Sequence, residues 1–233
     1  MASFRKEILG QIERIDTGRI FTFRDLSFET EKTANVAVLL SEQSRKGVLV
    51  RVERGRTTVP RNQCWGWGKL PVYQDEQFRY LTEKLNGYIT GAYIYNKMGL
   101  TEQVATTITI ATPNPVRRFR FKNLDIECVK AYCMVYPDES LVPYLRLLDA
   151  IKDMKRIPGT TGQDIYNRVK SQYFNGYSLP ELEKIVSLAK SYPPRVRKVV
   201  ADILGDIRQT VLQTEMAKTI LPTTRFNLDY KTA

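Results

Sequence analysis

The stretch that decides the N-terminal fold is residues 19–60, which read RIFTFRDLSFETEKTANVAVLLSEQSRKGVLVRVERGRTTVP. Residues 18–22 predict a short strand, and residues 23–28 predict a short helix. A longer helix follows. Thr30 is placed to cap it and Gly47 to end it, because threonine favours helix N-caps and glycine commonly follows helix C-termini.

A basic hairpin comes after that helix. Residues 48–52 and 57–59 contain many β-branched side chains and predict two strands. The turn between them, residues 53–56, holds a glycine that supplies the conformational freedom of a tight turn. With an amphipathic helix at residues 4–15, the order becomes helix, strand, helix, turn, helix and two-stranded wing. We therefore predict a winged helix-turn-helix domain over residues 1–70.

This order of elements suggests how the domain would contact DNA. The second helix of a helix-turn-helix pair enters the major groove, and its N-terminal residues reach base edges. Lys32, Thr33 and Asn35 occupy the leading turns here, and asparagine can bind adenine through two hydrogen bonds. Further candidate contacts, all basic, follow at the helix end and on the hairpin: Arg45, Lys46, Arg51, Arg54 and Arg56. Arginines on a hairpin suit phosphates or the minor groove.

A winged helix can also have a function other than DNA binding. Some winged helices serve as protein-docking modules, so protein docking is an alternative to DNA binding for this domain.

Within the long helix, spacing predicts that Val36, Ala37 and Leu40 face the core. Gln43 stands where a core leucine is common, which predicts looser packing at the helix end.

Composition and charge limit the classes of function. The 233 residues carry a net charge of +11, of which +5 falls on residues 1–70 and +5 on residues 139–233. This excess favours an acidic partner such as nucleic acid. The sequence has no histidine and only three cysteines, without metal-ligand spacing, which we interpret as buried or free thiols. The N-terminus has no signal-peptide pattern and no stretch resembles a membrane span, so we expect a cytoplasmic protein that uses no cofactor.

Residues 71–233 predict a mixed α/β domain with a small sheet and a helical C-terminal half, which makes the whole chain α+β. The boundary is expected near residue 70, after a segment with Trp65 and Trp67 that we interpret as a docked linker. The predicted elements of this domain comprise helices at 75–85 and 92–98, strands at 106–111, 119–122 and 124–129, and helices from residue 140 onward.

Three segments carry a resemblance to a known family. They are residues 47–56, residues 87–112 and residues 145–158, which include GVLVRVERGR, GYITGAYIYNKMGLTEQV and LRLLDAIKD. Together they resemble the AbiEi-type antitoxins of bacterial type IV toxin–antitoxin systems, also described as abortive-infection transcriptional regulators. An aromatic residue commonly follows the wing glycine in that family, and this sequence has Thr57 and Thr58 after Arg56.

The resemblance implies a two-part protein. Its winged helix would bind inverted repeats in its own promoter and act as a repressor. Its C-terminal domain would counteract a nucleotidyltransferase-like toxin, with or without a stable complex. The second role rests on the resemblance alone.

Enzymatic activity is not predicted. Asp149 and Asp153 lie one helical turn apart, as a metal-binding pair of carboxylates could. Lys152 and Lys155 lie close to them in sequence, so we interpret the group as an ion-paired helix surface. The sequence has no Gly-Ser turn, no phosphate-binding loop and no nucleophile–base pair.

Overall fold

The computed structural model describes residues 2–53, 56–58, 74–133, 138–226 and 230. The chain divides into two compact units, Met1–Leu81 and Thr82–Ala233. The boundary predicted near residue 70, with Cys64, Trp65 and Trp67, falls outside the described residues. Among the described residues, no helix is long and apolar enough to cross a membrane.

The first unit combines helices with a three-stranded antiparallel sheet of order β1-β3-β2. Its described elements, in chain order, are α1 (Ala2–Glu13), β1 (Ile20–Thr22), 3-10 turns at Phe23–Asp25 and Thr30–Lys32, α2 (Thr33–Arg45), β2 (Val50–Glu53) and β3 (Arg56–Thr58). α3 (Gln74–Leu85) begins in this unit and ends in the next. The apolar stripe of α1 and the inner face of α2 meet in one cluster: Ile8, Ile12, Phe21, Leu26, Val36, Leu39, Leu40 and Leu49.

Three local predictions for this unit were wrong. The helix expected at residues 23–28 is a single 3-10 turn, Phe23–Asp25, closed by a capping box in which Thr22 and Asp25 bond each other's backbone. Thr30 does not cap α2; it begins a separate 3-10 turn, and α2 starts at Thr33. Ala37 is exposed, and Leu39 is buried in the core.

The second unit contains a four-stranded mixed sheet of order β4-β5-β7-β6. The described strands are β4 (Tyr88–Thr90), β5 (Thr107–Thr112), β6 (Arg117–Phe121) and β7 (Leu124–Lys130). β5 and β7 are parallel and the other two pairings are antiparallel. A small sheet was predicted and is confirmed.

A tight turn after β4 leads into α4 (Ala92–Lys97). Gly91 has a φ of +74° and a ψ of −165°, a conformation that is essentially restricted to glycine. A β-carbon at Gly91 would also lie 2.6 Å from Oγ1 of Thr109. The turn therefore depends on glycine both for its backbone conformation and for space.

Helices form the rest of the second unit, as predicted for its C-terminal half. They are α5 (Val142–Asp153), α6 (Gly162–Gln172), α7 (Leu179–Ala189), α8 (Pro194–Asp206) and α9 (Thr210–Ala217). α7 begins with the capping box of Ser178 and Glu181. The chain end packs back at Tyr230, which is 2% exposed, stacks on Tyr166 and donates a hydrogen bond to Asp202 at 2.9 Å.

Candidate nucleic-acid interface

The leading turn of α2 lies at the surface. Thr33 and Asn35 are both exposed, and Val36 is the first buried residue of the helix. Among the described residues, none hydrogen-bonds the side chain of Asn35. The hydroxyl of Thr33 donates to the carbonyl oxygen of Thr30 at 2.6 Å, so it is already engaged at the helix start. Asn35 thus remains able to offer both an amide donor and a carbonyl acceptor to a ligand.

Lys32 is held close to the protein. Its ammonium group pairs with Glu29 at 2.7 Å and lies 5.2 Å from the ring centre of Phe4. These two contacts hold the side chain of Lys32 in place, although part of it remains exposed to solvent. Glu29 would therefore compete with any phosphate for the ammonium group of Lys32.

The basic residues at the end of α2 and in the hairpin are the second group of predicted contacts. Arg45, Lys46 and Arg51 are exposed, and no carboxylate of the described residues lies within ion-pair distance of them. Arg54 lies outside the described residues. The backbone of Arg56 belongs to β3, but its side chain is also outside the described part.

The end of α2 differs from the looser packing predicted for it. Gln43 is 7% exposed. Its backbone carbonyl oxygen accepts hydrogen bonds from the backbone N–H groups of Val48 at 3.0 Å and of Leu49 at 3.3 Å, which directly follow Gly47. This polar side chain is buried where the backbone turns out of the helix.

Three exposed residues of α2 that were not predicted as contacts, Ala34, Val38 and Ser41, share a face with the predicted contact Arg45. Ala34, Val38, Ser41 and Arg45 are spaced at i, i+4, i+7 and i+11, so they share one face of the helix. Val38 is 59% exposed. Alanine and similar apolar groups can contact the methyl group of thymine. The same spacing rule that located the core face could have located this opposite face.

The first unit also protects the outer edge of its sheet. Glu76 on α3 accepts a hydrogen bond from the backbone N–H of Ile20 at 2.7 Å, and Arg79 donates to the carbonyl oxygen of the same residue at 3.3 Å. Burial alone would raise the pKa of Glu76, but the hydrogen bonds from Arg79 and Ile20 outweigh it and lower that pKa. β1 is therefore covered by charged side chains of α3, as edge strands often are.

The architecture has a counterpart among solved structures. The chain is similar to the crystal structure of the RV2827C protein from Mycobacterium tuberculosis, with a TM-score of 0.50 and 13% sequence identity. The similarity covers 95% of this chain and 83% of that chain. At this identity the likeness concerns the fold alone, and it agrees with the α+β class. No protein-family model matches the sequence, and the search of curated proteins found no match.

The carboxylates considered for metal binding have a different setting from the one predicted. Asp149 is 1% exposed, so it is not part of an ion-paired helix surface. It accepts hydrogen bonds from the hydroxyls of Tyr88 and Thr90, both at 2.9 Å, and lies 3.2 Å from the ammonium of Lys152. Burial raises the pKa of Asp149, and the pairing with Lys152 opposes this rise only in part. The prediction missed the burial because sequence spacing does not reveal what covers a helix.

Asp153 and the cysteines complete the list of reactive groups considered from sequence. Asp153 accepts a hydrogen bond from Tyr95 at 2.8 Å and lies 3.6 Å from Lys152, so both carboxylates share this lysine. Cys128 and Cys133 are buried free thiols. Within the described ranges, no group of three or more cysteine, aspartate or glutamate side chains could hold a metal ion.

Proposed function

We propose that this protein is a DNA-binding transcriptional autorepressor and the antitoxin of a type IV toxin–antitoxin (abortive infection) system. In this proposal it binds inverted repeats in its own promoter and counteracts a nucleotidyltransferase-like toxin. One observation supports the DNA-binding half above all: the leading turn of α2 is exposed, and Arg45, Lys46 and Arg51, at the far end of α2 and in β2, have no carboxylate partner in the described part of the chain. The antitoxin half rests on the family resemblance.

The order of elements supports a winged helix-turn-helix assignment for the first unit. A helix, a strand, a helical turn, a second helix and a hairpin follow each other, and the hairpin strand β3 pairs with both β1 and β2. In such a domain the helix before the hairpin is the one that enters the major groove. Asn35 would then read a base edge, and Arg45, Lys46 and Arg51 would contact phosphates.

The DNA-binding half is tested with a duplex that carries the protein's own promoter. We expect salt-sensitive binding, because each phosphate contact releases counterions. The triple variant Arg51→Ala, Arg54→Ala, Arg56→Ala is expected to lose affinity. The slope of its salt dependence should also be smaller, by the equivalent of up to about three phosphate contacts. Fluorescence anisotropy titrations over a range of salt concentrations measure both quantities.

A second triple variant separates a specific face from overall charge. Arg117, Arg118 and Arg120 are exposed on β6 in the second unit, and their replacement by alanine removes the same number of positive charges. Promoter binding by this control is expected to stay close to wild type. An equal loss in both triple variants would mean that net charge, rather than the hairpin, drives binding.

The antitoxin half is tested in cells that express the toxin from the neighbouring open reading frame. Co-expression of this protein should restore growth, and the hairpin triple variant should restore it equally, since neutralisation is assigned to the second unit. Failure of the wild-type protein to restore growth would remove the antitoxin role and leave the repressor role standing.

One observation favours a second function, a non-catalytic protein-interaction module that uses the first unit for docking. Val38, Val48 and Val50 are 59%, 51% and 38% exposed, and exposed apolar residues are common where proteins bind each other. This alternative predicts no promoter binding above a random duplex at physiological salt. Salt-sensitive, promoter-specific binding would exclude it as the sole function.

A further inference from the structure

The second unit contains a pocket of about 470 Å³ whose walls come from four parts of the fold. These are the start of α4, the central strands β5 and β7, the end of α5 with the loop after it, and the first turn of α8. Pockets that bind small molecules commonly measure about 300–1,000 Å³, so this one is large enough for a ligand bigger than an inorganic ion.

The pocket is lined by more positive than negative groups. Among the described residues its cationic side chains are Lys130, Lys152, Lys155, Arg156 and Arg195. Its two carboxylates are Glu127 and Asp153. Both carboxylates already have partners. Glu127 pairs with Arg118 at 2.6 Å, and Asp153 accepts a hydrogen bond from the hydroxyl of Tyr95 and lies near Lys152. The lining thus has a surplus of three positive charges.

Arg195, on the first turn of α8, is one of the cations that line the pocket. Its Nε and Nη2 atoms are buried, and no acceptor within the described part of the chain hydrogen-bonds them. Buried guanidinium donors are normally satisfied, because leaving a charged donor without an acceptor is costly. The planar guanidinium group matches the geometry of phosphate oxygens, to which it can donate two parallel hydrogen bonds.

Contacts within the second unit hold the cations of one wall of the pocket. The ring of Tyr132 stacks on that of Tyr192 at a centroid distance of 5.0 Å. The ammonium groups of Lys130 and Lys152 lie 5.8 and 5.5 Å from the Tyr132 ring centre. Asp149 holds Lys152 from the interior side at 3.2 Å. The charges of this wall are therefore positioned before any ligand arrives, which lowers the cost of binding.

We propose that this pocket binds the phosphate group of a small phosphorylated molecule, with Arg195 as the main anchor and Arg156 as a second cation at its exposed edge. The proposal does not depend on DNA binding by the first unit, since every residue in it belongs to the second. Free phosphate shares the same chemistry, and the experiment below distinguishes it from a larger phosphorylated ligand.

The test measures binding of three probes to the full chain by isothermal titration calorimetry: inorganic phosphate, pyrophosphate and adenosine monophosphate. Ionic strength is held constant with chloride, so that non-specific screening is equal in all titrations. At least one probe is expected to bind wild-type protein. Tighter binding of adenosine monophosphate than of phosphate assigns the site to a phosphorylated molecule, and equal binding assigns it to phosphate itself.

Three variants make the result specific. Arg195→Gln should weaken binding about tenfold or more, because it removes charged hydrogen bonds to the anion. Arg156→Gln changes an exposed residue and should weaken binding less. Arg225→Gln is the control, because Arg225 is exposed, does not line the pocket and loses the same charge.

Two results would overturn the proposal. The first is that no probe binds wild-type protein more tightly than chloride does. The second is that Arg195→Gln and Arg156→Gln bind the probes as tightly as wild type and Arg225→Gln.

Discussion

At the scale of single residues, Asp149 shows most clearly how burial changes the meaning of a sequence pattern. In the sequence it looks like one member of a charged helix surface. In the fold it is 1% exposed and accepts hydrogen bonds from Tyr88 and Thr90. Its neighbour Lys152 keeps 18% of its side-chain surface exposed, so the pair connects the interior with the pocket wall.

The titration of Asp149 gives a prediction with a definite sign. Because burial raises its pKa, the folded state keeps the proton to a higher pH than the unfolded state. The contribution of Asp149 to the free energy of unfolding therefore falls as pH rises from about 3.8 through the pKa of the folded state. Across that window, the stability of wild type should fall relative to that of Asp149→Asn as pH rises. Urea unfolding of both proteins measures this change.

A matched control for this prediction has the opposite sign. Asp164 belongs to the capping box of α6, and its hydrogen bonds with Thr161 lower its pKa. Its stabilising contribution is present above about pH 3.8 and is lost as pH falls through the lower folded pKa. Asp164→Asn should therefore lose stability relative to wild type as pH rises. If both variants followed the same trend, the assignment of Asp149 as a desolvated carboxyl would be wrong.

At the scale of elements, the first unit depends on α3 to complete its sheet. β1 lies at the edge in the order β1-β3-β2, and Glu76 and Arg79 bind the backbone of Ile20 along that edge. Their own contact, with Arg79 Nε 2.8 Å from Glu76, holds both side chains in place. Within the described part of the first unit, side chains of α3 therefore cover this sheet edge.

Replacing Glu76 by alanine should destabilise the protein by about 1–3 kcal/mol, the usual cost of leaving a buried donor unsatisfied. The loss should be greatest at neutral pH. Because Glu76 has a lowered pKa, its contribution is complete above about pH 4.5 and disappears as pH falls through the folded pKa. Urea unfolding at several pH values measures this. Asp75→Ala, one residue earlier and exposed, is the control and should change stability little.

Local signals in the sequence predicted most elements of the second unit. α7 starts where Ser178, Pro180 and Glu181 indicate it, and α4 follows a glycine whose φ is positive. These predictions worked because capping and turn chemistry act within a few residues. The prediction of a helix at residues 23–28 was wrong because the backbone becomes extended at Leu26, after a single 3-10 turn.

At the scale of the whole molecule, the sequence did not predict which strands pair or which distant residues come together. Local periodicity could not show that β5 pairs in parallel with β7, because that contact joins strands separated by β6. The same limit hid the pocket: Lys152 and Arg195 lie far apart in sequence and meet only in the folded second unit. The candidate DNA contacts were easier to group from sequence, since α2 and the hairpin are consecutive elements.

The separate hydrophobic clusters of the two units lead to the last prediction. Ile8, Val36 and Leu49 belong to one cluster, and Leu148 and Ile203 belong to the other. Chains with more than one compact unit commonly unfold in more than one step. Calorimetry of the full chain should therefore resolve two transitions. Glu76→Ala should lower only one of them and Asp149→Ala only the other, because each removes an acceptor inside one unit.

The sizes of the two units set the expected shifts. For each kcal/mol lost, a transition should move by about 4–8 °C in a unit of 60–100 residues and by about 2–4 °C in one of 150. Glu76→Ala should thus produce the larger displacement for a similar loss of free energy. The double variant should show both shifts together, since distant sites add. A single transition that both variants lower would instead show that the chain folds as one cooperative body.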